Sequence, residues 1–238
     1  MYYRVIARVS IFVNIAILLL IAGKRVYFSH TGGTISQSAE FLNTMRNDAF
    51  ADLPIDSSDI VLVGTSMTEG LFLHEMLHEC RILNRGIGGN TSRHIAERVK
   101  QIAAGRPRMI FLEMGICDLF FHVPLDTFDQ NFNETIRNIR ELSPHTKILV
   151  QSIMPVGDPH KDLRGQLDKF NAYMKAACIQ QGLVFIDLYA AFQVDSRLNP
   201  RYDMDGIHLN GRGYLIWSDK LHDYIEPPYC IPNKYFQL

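Results

Sequence analysis

At 238 residues, 47% of them hydrophobic, the chain has room for one well-cored domain with attachments and too little for two. Its 24 Lys and Arg are balanced by 25 Asp and Glu, a formal net charge of −1, and no basic cluster interleaved with aromatics occurs, which argues against a nucleic-acid partner. The four cysteines, Cys80, Cys117, Cys178 and Cys230, have no C-x-x-C spacing, so neither a zinc knuckle nor a thioredoxin-like site is indicated, and disulfides and free thiols both stay open.

Residues 1–23 read as a membrane anchor or signal segment. Fifteen uncharged residues separate Arg8 from Lys24, and the mostly apolar run from Val5 to Ala22 would form a helix roughly 27 Å long. That length is marginal for a hydrocarbon core unless Arg4 and Arg8 reach back to the headgroups. Ile-Ala-Gly ahead of Lys24 and Arg25 is a poor cleavage site, which favours an uncleaved N-terminal hydrophobic helix over a cleaved signal peptide. The expected location is the cell envelope, membrane-anchored or secreted and periplasmic.

A linker and leading helix follow over residues 24–58, with the helix expected at 37–52, where Phe41, Leu42, Met45 and Phe50 share a stripe and Pro54 ends it. Apolar, β-rich runs then recur at 59–64, 81–84, 108–115, 147–153 and 183–188. Between them the period turns helical: Ile95, Val99 and Ile102; Leu125, Phe128, Phe132, Ile136 and Ile139; Leu163, Leu167, Phe170, Met174 and Ala177. A last helix is expected over 211–225, and residues 227–238 are a tail. Alternation of near-continuously apolar strands with amphipathic helices predicts a five-stranded parallel sheet covered on both faces, a three-layer α/β fold.

That fold sorts the polar residues by place, because ligands of open parallel sheets bind beyond the carboxyl ends of the strands. Gly64-Thr65-Ser66 follows the first strand, Gly88-Gly89-Asn90-Thr91-Ser92 the second, Gly115-Ile116-Cys117-Asp118 the third, and Asp205-Gly206-Ile207-His208 comes after the fifth. A carboxylate three residues from a histidine, on a turn, can orient the imidazole so that its other nitrogen takes a proton from a third group. Ser66 is the candidate for that group. Its hydroxyl sits at a helix N-terminus, although Ser66 with Glu69 also fits a capping box.

These four blocks, in this order, resemble the SGNH (GDSL-type) hydrolase family over residues 59 to about 226. The resemblance implies a serine esterase on a flavodoxin-like fold that cleaves small acyl esters without a cofactor. Ser66 would be the nucleophile, His208 the general base and Asp205 its orienter. The oxyanion site would comprise the N–H groups of Ser66 and Gly89 and a side chain in the third block. Asn90 and Thr91 would shape the pocket, Thr91 serving equally well as a helix cap. An envelope location would make acylated carbohydrate the better substrate guess, with the membrane met through the N-terminal helix.

Two positions depart from the pattern: Thr65 stands where the family usually has Asp, and Cys117 where the third block usually has Asn. A thiol is a weak donor beside an amide. Cys117 therefore reads as a weak donor at a working site, a packing replacement in a non-catalytic envelope binding module of the same fold, or a redox-sensitive thiol. Glu113, a carboxylate in an apolar run, should have a partner near the strand end. A rival reading is His74-Glu75-Met76-Leu77-His78, a literal H-E-x-x-H, with Glu97 at a usable spacing for a third zinc ligand. The amphipathic pattern of that segment accounts for it without metal.

Overall fold

The computed structural model describes residues 41, 43–72, 76 and 81–225. Its five central strands are β1 (Ile60–Gly64), β2 (Ile82–Gly86), β3 (Met109–Leu112), β4 (Lys147–Gln151) and β5 (Val184–Ile186). All pair in parallel, in the order β2-β1-β3-β4-β5. The chain thus starts inside the sheet, moves to one edge, then returns past its start. The strand order reverses at β1 and β3, and a crevice opens beyond their carboxyl ends.

The helices are α1 (Ser66–Glu69), α2 (Ser92–Ala104), α3 (Ile116–Phe120), α4 (Leu125–Leu142), α5 (Arg164–Gln181), α6 (Leu188–Phe192) and α7 (Gly211–His222). Successive strand residues point to opposite faces, which divides the core in two. Val61, Val63, Ile110, Leu112, Ile148 and Val150 pack against α2, α4 and α5 through Ile95, Val99, Phe128, Phe132, Ile136, Leu167 and Phe170. Ile60, Leu62, Phe111 and Leu149 meet α1, α6 and α7 on the other face through Met67, Leu188, Phe192, Trp217 and Leu221. The Trp217 indole, fully buried, donates to Gln151 Oε1 at 2.7 Å and so ties α7 to the end of β4.

The expected elements are present, with shifted ends. β3 stops at Leu112 instead of running to 115, because Gly115 takes a left-handed φ of 112° to begin α3. A side chain there would strike Ile153, its Cβ falling 2.7 Å from Ile153 Cδ1. β5 stops at Ile186 because the Asp187 carboxylate caps α6, accepting the Ala190 N–H at 3.0 Å. Not anticipated were α3, α6, a 3-10 turn at Asp158–Leu163 and a small antiparallel hairpin of β6 (Gln193–Val194) and β7 (Arg197–Leu198). Residues 43–52 are helical, as expected for that part of the leading helix. The hydrophobic N-terminal segment 1–23, residues 37–40 and the tail 227–238 lie outside the described residues. Among the described residues no helix is long and apolar enough to cross a membrane.

Candidate active site

The turn from β1 into α1 places Ser66 at the first helical position, with Thr65 as its N-cap in extended backbone. Ser66 Oγ lies 2.9 Å from His208 Nε2. On the other side of the ring, His208 Nδ1 is 2.7 Å from Asp205 Oδ2. Asp205 Oδ1 also accepts the backbone N–H of His208 at 2.8 Å and of Ile207 at 3.0 Å, so a single carboxylate shapes the turn and aims the ring. Burial raises the Asp205 pKa, but the hydrogen bonds from His208 and Ile207 outweigh it and hold the carboxyl below the usual range. With that anion at Nδ1 the ring proton belongs there, leaving Nε2 as the acceptor facing Ser66. Residues 142 apart in sequence are thus brought to hydrogen-bond distance.

The capping-box reading of Ser66 and Glu69 is not what the structure contains. The Glu69 carboxylate instead accepts the Gly88 N–H at 2.6 Å, linking the serine helix to the glycine loop after β2. That loop comes close: a Cβ at Gly88 would lie 3.5 Å from Ser66 Cβ. Gly89 has φ of +76°, a backbone region that favours glycine, and open space beside it. Asn90 is buried with its carbonyl turned away toward Arg98, whose Nε donates to Oδ1 at 3.0 Å. Thr91 is the N-cap of α2, as its capping alternative anticipated.

Arg98 was not singled out from the sequence. Its guanidinium also donates to the carbonyls of Arg85 and Gly64, each at 2.8 Å, binding the ends of β1 and β2 to the Asn90 loop. The available signal was an arginine three residues after Ile95 and one before Val99, on the inward side of an amphipathic helix. Asp118 plays a related part. Fully buried, it accepts the Ser92 N–H at 2.9 Å and the Ser92 hydroxyl at 2.5 Å, capping α2, and burial pushes its pKa up.

Cys117 is buried at the start of α3. Burial, reinforced by Glu113 and Asp118, pushes the thiol up to about 12. A thiol so held stays protonated at neutral pH, which counts against the redox-sensitive reading. Cys178 is likewise buried and free, its thiol pushed up to about 11 by burial, whereas Cys80 and Cys230 lie outside the described residues.

Glu113 has the partners its place demanded. It follows β3 directly and accepts the Thr65 N–H at 2.7 Å, with the Thr65 and Thr68 hydroxyls each 3.0 Å from Oε2. It also lines a small, mainly apolar pocket of about 20 Å³ with Met67, Ile116, Ile153, Val156 and Ile207. Met67, Ile116 and Ile207 are the chain neighbours of Ser66, Cys117 and His208. His74, Glu75 and His78 lie outside the described residues, while Glu97 pairs with Arg93 at 2.5 Å. Among the described residues no cluster of His, Cys, Asp or Glu is arranged to hold a metal.

The sheet order is that of the flavodoxin-like topology, and beyond its switch point a hydroxyl, an imidazole and a carboxylate are joined in series, an arrangement suited to a serine hydrolase. Residues 67–216 match the GDSL-like lipase/acylhydrolase family, and the chain belongs to that family as a carboxylic ester hydrolase. The matched span begins one residue after Ser66. Similar proteins include the platelet-activating factor acetylhydrolase IB subunit alpha2 of Rattus norvegicus, 27% identical over 76% of this chain and 82% of the relative. An acetylxylan esterase of Geobacillus stearothermophilus is 26% identical over 57% of this chain and 68% of its own. In fold, a GDSL-like lipase from Bacteroides thetaiotaomicron superposes with a TM-score of 0.68 at 22% identity, covering 76% of this chain and 96% of the other.

Proposed function

We propose that this chain is a serine esterase that removes small acyl groups, chiefly acetyl, through an acyl-enzyme intermediate. The observation that carries the reading is the Ser66–His208–Asp205 hydrogen-bonded series. An unassisted serine hydroxyl is a poor nucleophile at neutral pH, and the 2.9 Å contact to Nε2 supplies the remedy. Ser66 Oγ attacks the ester carbonyl as its proton passes to His208 Nε2, and the imidazolium that forms is stabilised by Asp205. The collapsing intermediate expels the alcohol, which takes the proton from Nε2. Water then enters, gives its proton to the same nitrogen and releases the acid and free Ser66.

The negative oxygen formed in each half would face the N–H groups of Ser66 and Gly89, with the Cys117 S–H as a weaker third donor. The mainly apolar pocket beside these groups is narrow, about 20 Å³, far below the about 300–1,000 Å³ of ordinary small-ligand sites. It suits a short acyl group. The two named relatives differ in the alcohol they release but share acetyl as the acyl group in their names, which supports acetyl over longer chains. An acylated carbohydrate in the cell envelope, reached through the apolar residues 5–22, fits the sequence best.

The test is an acyl-length series of p-nitrophenyl esters, acetyl through octanoyl, followed by acetylated glycans, on the full chain and on Ser66→Ala. The reading expects kcat/KM to be highest for acetyl and to fall with length, and all hydrolysis to vanish in Ser66→Ala. A preference for octanoyl, or a Ser66→Ala variant as active as the parent, would contradict it.

A further inference from the structure

The helix that carries Ser66 has four residues, Ser66–Glu69. One turn forms few internal hydrogen bonds against its nucleation cost, so its position depends on groups from elsewhere in the chain. Its carbonyl end has several. The Tyr214 hydroxyl donates to the Met67 carbonyl at 3.2 Å, and Asn84 Nδ2 donates to the carbonyls of Thr68 at 2.7 Å and Leu71 at 3.1 Å.

At the amino end Arg98 holds the Gly64 carbonyl, and the donors of Thr65 and Thr68 go to one side chain. Glu113 Oε2 accepts the Thr65 N–H at 2.7 Å and the Thr68 hydroxyl at 3.0 Å, and the Thr65 hydroxyl lies 3.1 and 3.0 Å from the two carboxyl oxygens. The same carboxyl fills the place of an absent side chain at Gly64, where a Cβ would fall 2.4 Å from Glu113 Oε2 and 2.0 Å from Thr68 Oγ1. Thr65 and Thr68 are fully buried and Glu113 is 7% exposed, so water does not substitute for these bonds. The backbone beneath is fixed as well, since the Glu113 N–H donates to the Val63 carbonyl at 2.8 Å. An apolar residue at 113 would leave a buried N–H and two buried hydroxyls without this acceptor. Packing alone does not account for it.

We propose that Glu113 is a positioning residue: acting through Thr65 and Thr68, its carboxyl sets the turn so that the Ser66 hydroxyl meets His208 and the Ser66 N–H faces the reacting carbonyl. The inference rests on Ser66 being the nucleophile. The hydrogen bonds of the Glu113 carboxyl go to Thr65 and Thr68 and not to Ser66 Oγ or His208. Its removal therefore displaces the nucleophile without removing it, and small displacements of a reacting group cost up to about 10²-fold.

The test compares the full chain with Glu113→Ala, Glu113→Gln and Thr68→Val. Turnover of p-nitrophenyl acetate is expressed per active site titrated by a fluorophosphonate probe, well below each melting temperature. Glu113→Ala is expected to lower kcat about 10–100-fold with KM changed less than threefold, and to slow fluorophosphonate labelling by the same factor. Glu113→Gln retains an oxygen for the Thr65 N–H and should recover to within about fivefold of the parent. Thr68→Val, which loses one of the three donors, should fall between them and decides the matter if Glu113→Ala does not fold. Turnover per titrated site equal to the parent in Glu113→Ala, or in Thr68→Val when the alanine variant is unfolded, would overturn the proposal and leave Glu113 a stability residue. Failure of the underlying reading looks different: the parent itself would not be labelled at Ser66.

Discussion

Replacing Cys117 by asparagine tests the proposed oxyanion site at its weakest proposed donor. Burial pushes the Cys117 thiol up to about 12, so it remains an S–H throughout the working range. An amide in its place is a full donor. One such donor is worth about 10²–10³ in turnover, or about 2.7–4 kcal/mol of transition-state stabilisation. Part of this is offset, because the amide oxygen must find a donor in the same buried space and a buried amide left half-satisfied costs about 1–3 kcal/mol of stability. The Thr65 hydroxyl is already given to Glu113. The expected outcome of Cys117→Asn is a kcat for p-nitrophenyl acetate raised about 10–100-fold, KM within twofold, and a melting temperature lower by about 2–8 °C. Steady-state hydrolysis and a thermal melt on the full chain measure both. A folded variant whose kcat falls tenfold or more would refute the reasoning and give the sulfur a role of its own.

Asp205→Asn should cost on the order of 10³-fold in kcat, with little change in KM, because the amide no longer fixes the Nδ1 proton or stabilises the imidazolium; a loss under tenfold would remove Asp205 from the mechanism. Burial raises the Glu113 pKa above its unfolded value, so between the two the folded state binds the extra proton and stability falls as pH rises through that window. Glu113→Gln should therefore flatten the stability–pH profile above the ordinary carboxylate range, by at most about 1.4 kcal/mol per pH unit, and an unchanged slope in denaturant melts would contradict the shift. Asp118 shifts in the same direction and leaves a residual fall of stability with rising pH. Trp217→Phe leaves Gln151 Oε1 without its donor and should destabilise by about 1–3 kcal/mol, most of it recovered in Trp217→Phe with Gln151→Leu. Additive losses in that pair would show that the hydrogen bond is not what the indole contributes.

The layers were legible because their signal is local. Ile60 to Val63 is apolar at every position, as a strand buried on both faces must be, and Phe128, Phe132, Ile136 and Ile139 repeat at helical spacing along α4. Element ends were less legible. β3 loses three expected residues because the chain turns at Gly115 against Ile153, 38 residues further on, and nothing near position 112 announces that contact. The site divides in the same way. Ser66, Asp205 and His208 are singled out by short words placed at strand ends, while the side chains hydrogen-bonded around them are not. Arg98 reads as one more polar residue on a helix until Gly64, Arg85 and Asn90 close around it. Ser66 with Glu69 reads as a capping box, and only the folded chain brings Gly88 to Glu69 and His208 to Ser66. Long-range pairing decides such cases, and local spacing does not encode it.

The account as a whole depends on Ser66 Oγ being the atom that accepts the acyl group. Its most direct test is a peptide mass map of the full chain after reaction with a fluorophosphonate. One adduct per chain on the Ser66 peptide is predicted, absent in Ser66→Ala, at least about 100-fold slower to form in His208→Ala, and accompanied by complete loss of esterase activity. An unmodified Ser66 in protein that still hydrolyses p-nitrophenyl acetate, or hydrolysis abolished by a chelator and untouched by the probe, would contradict it.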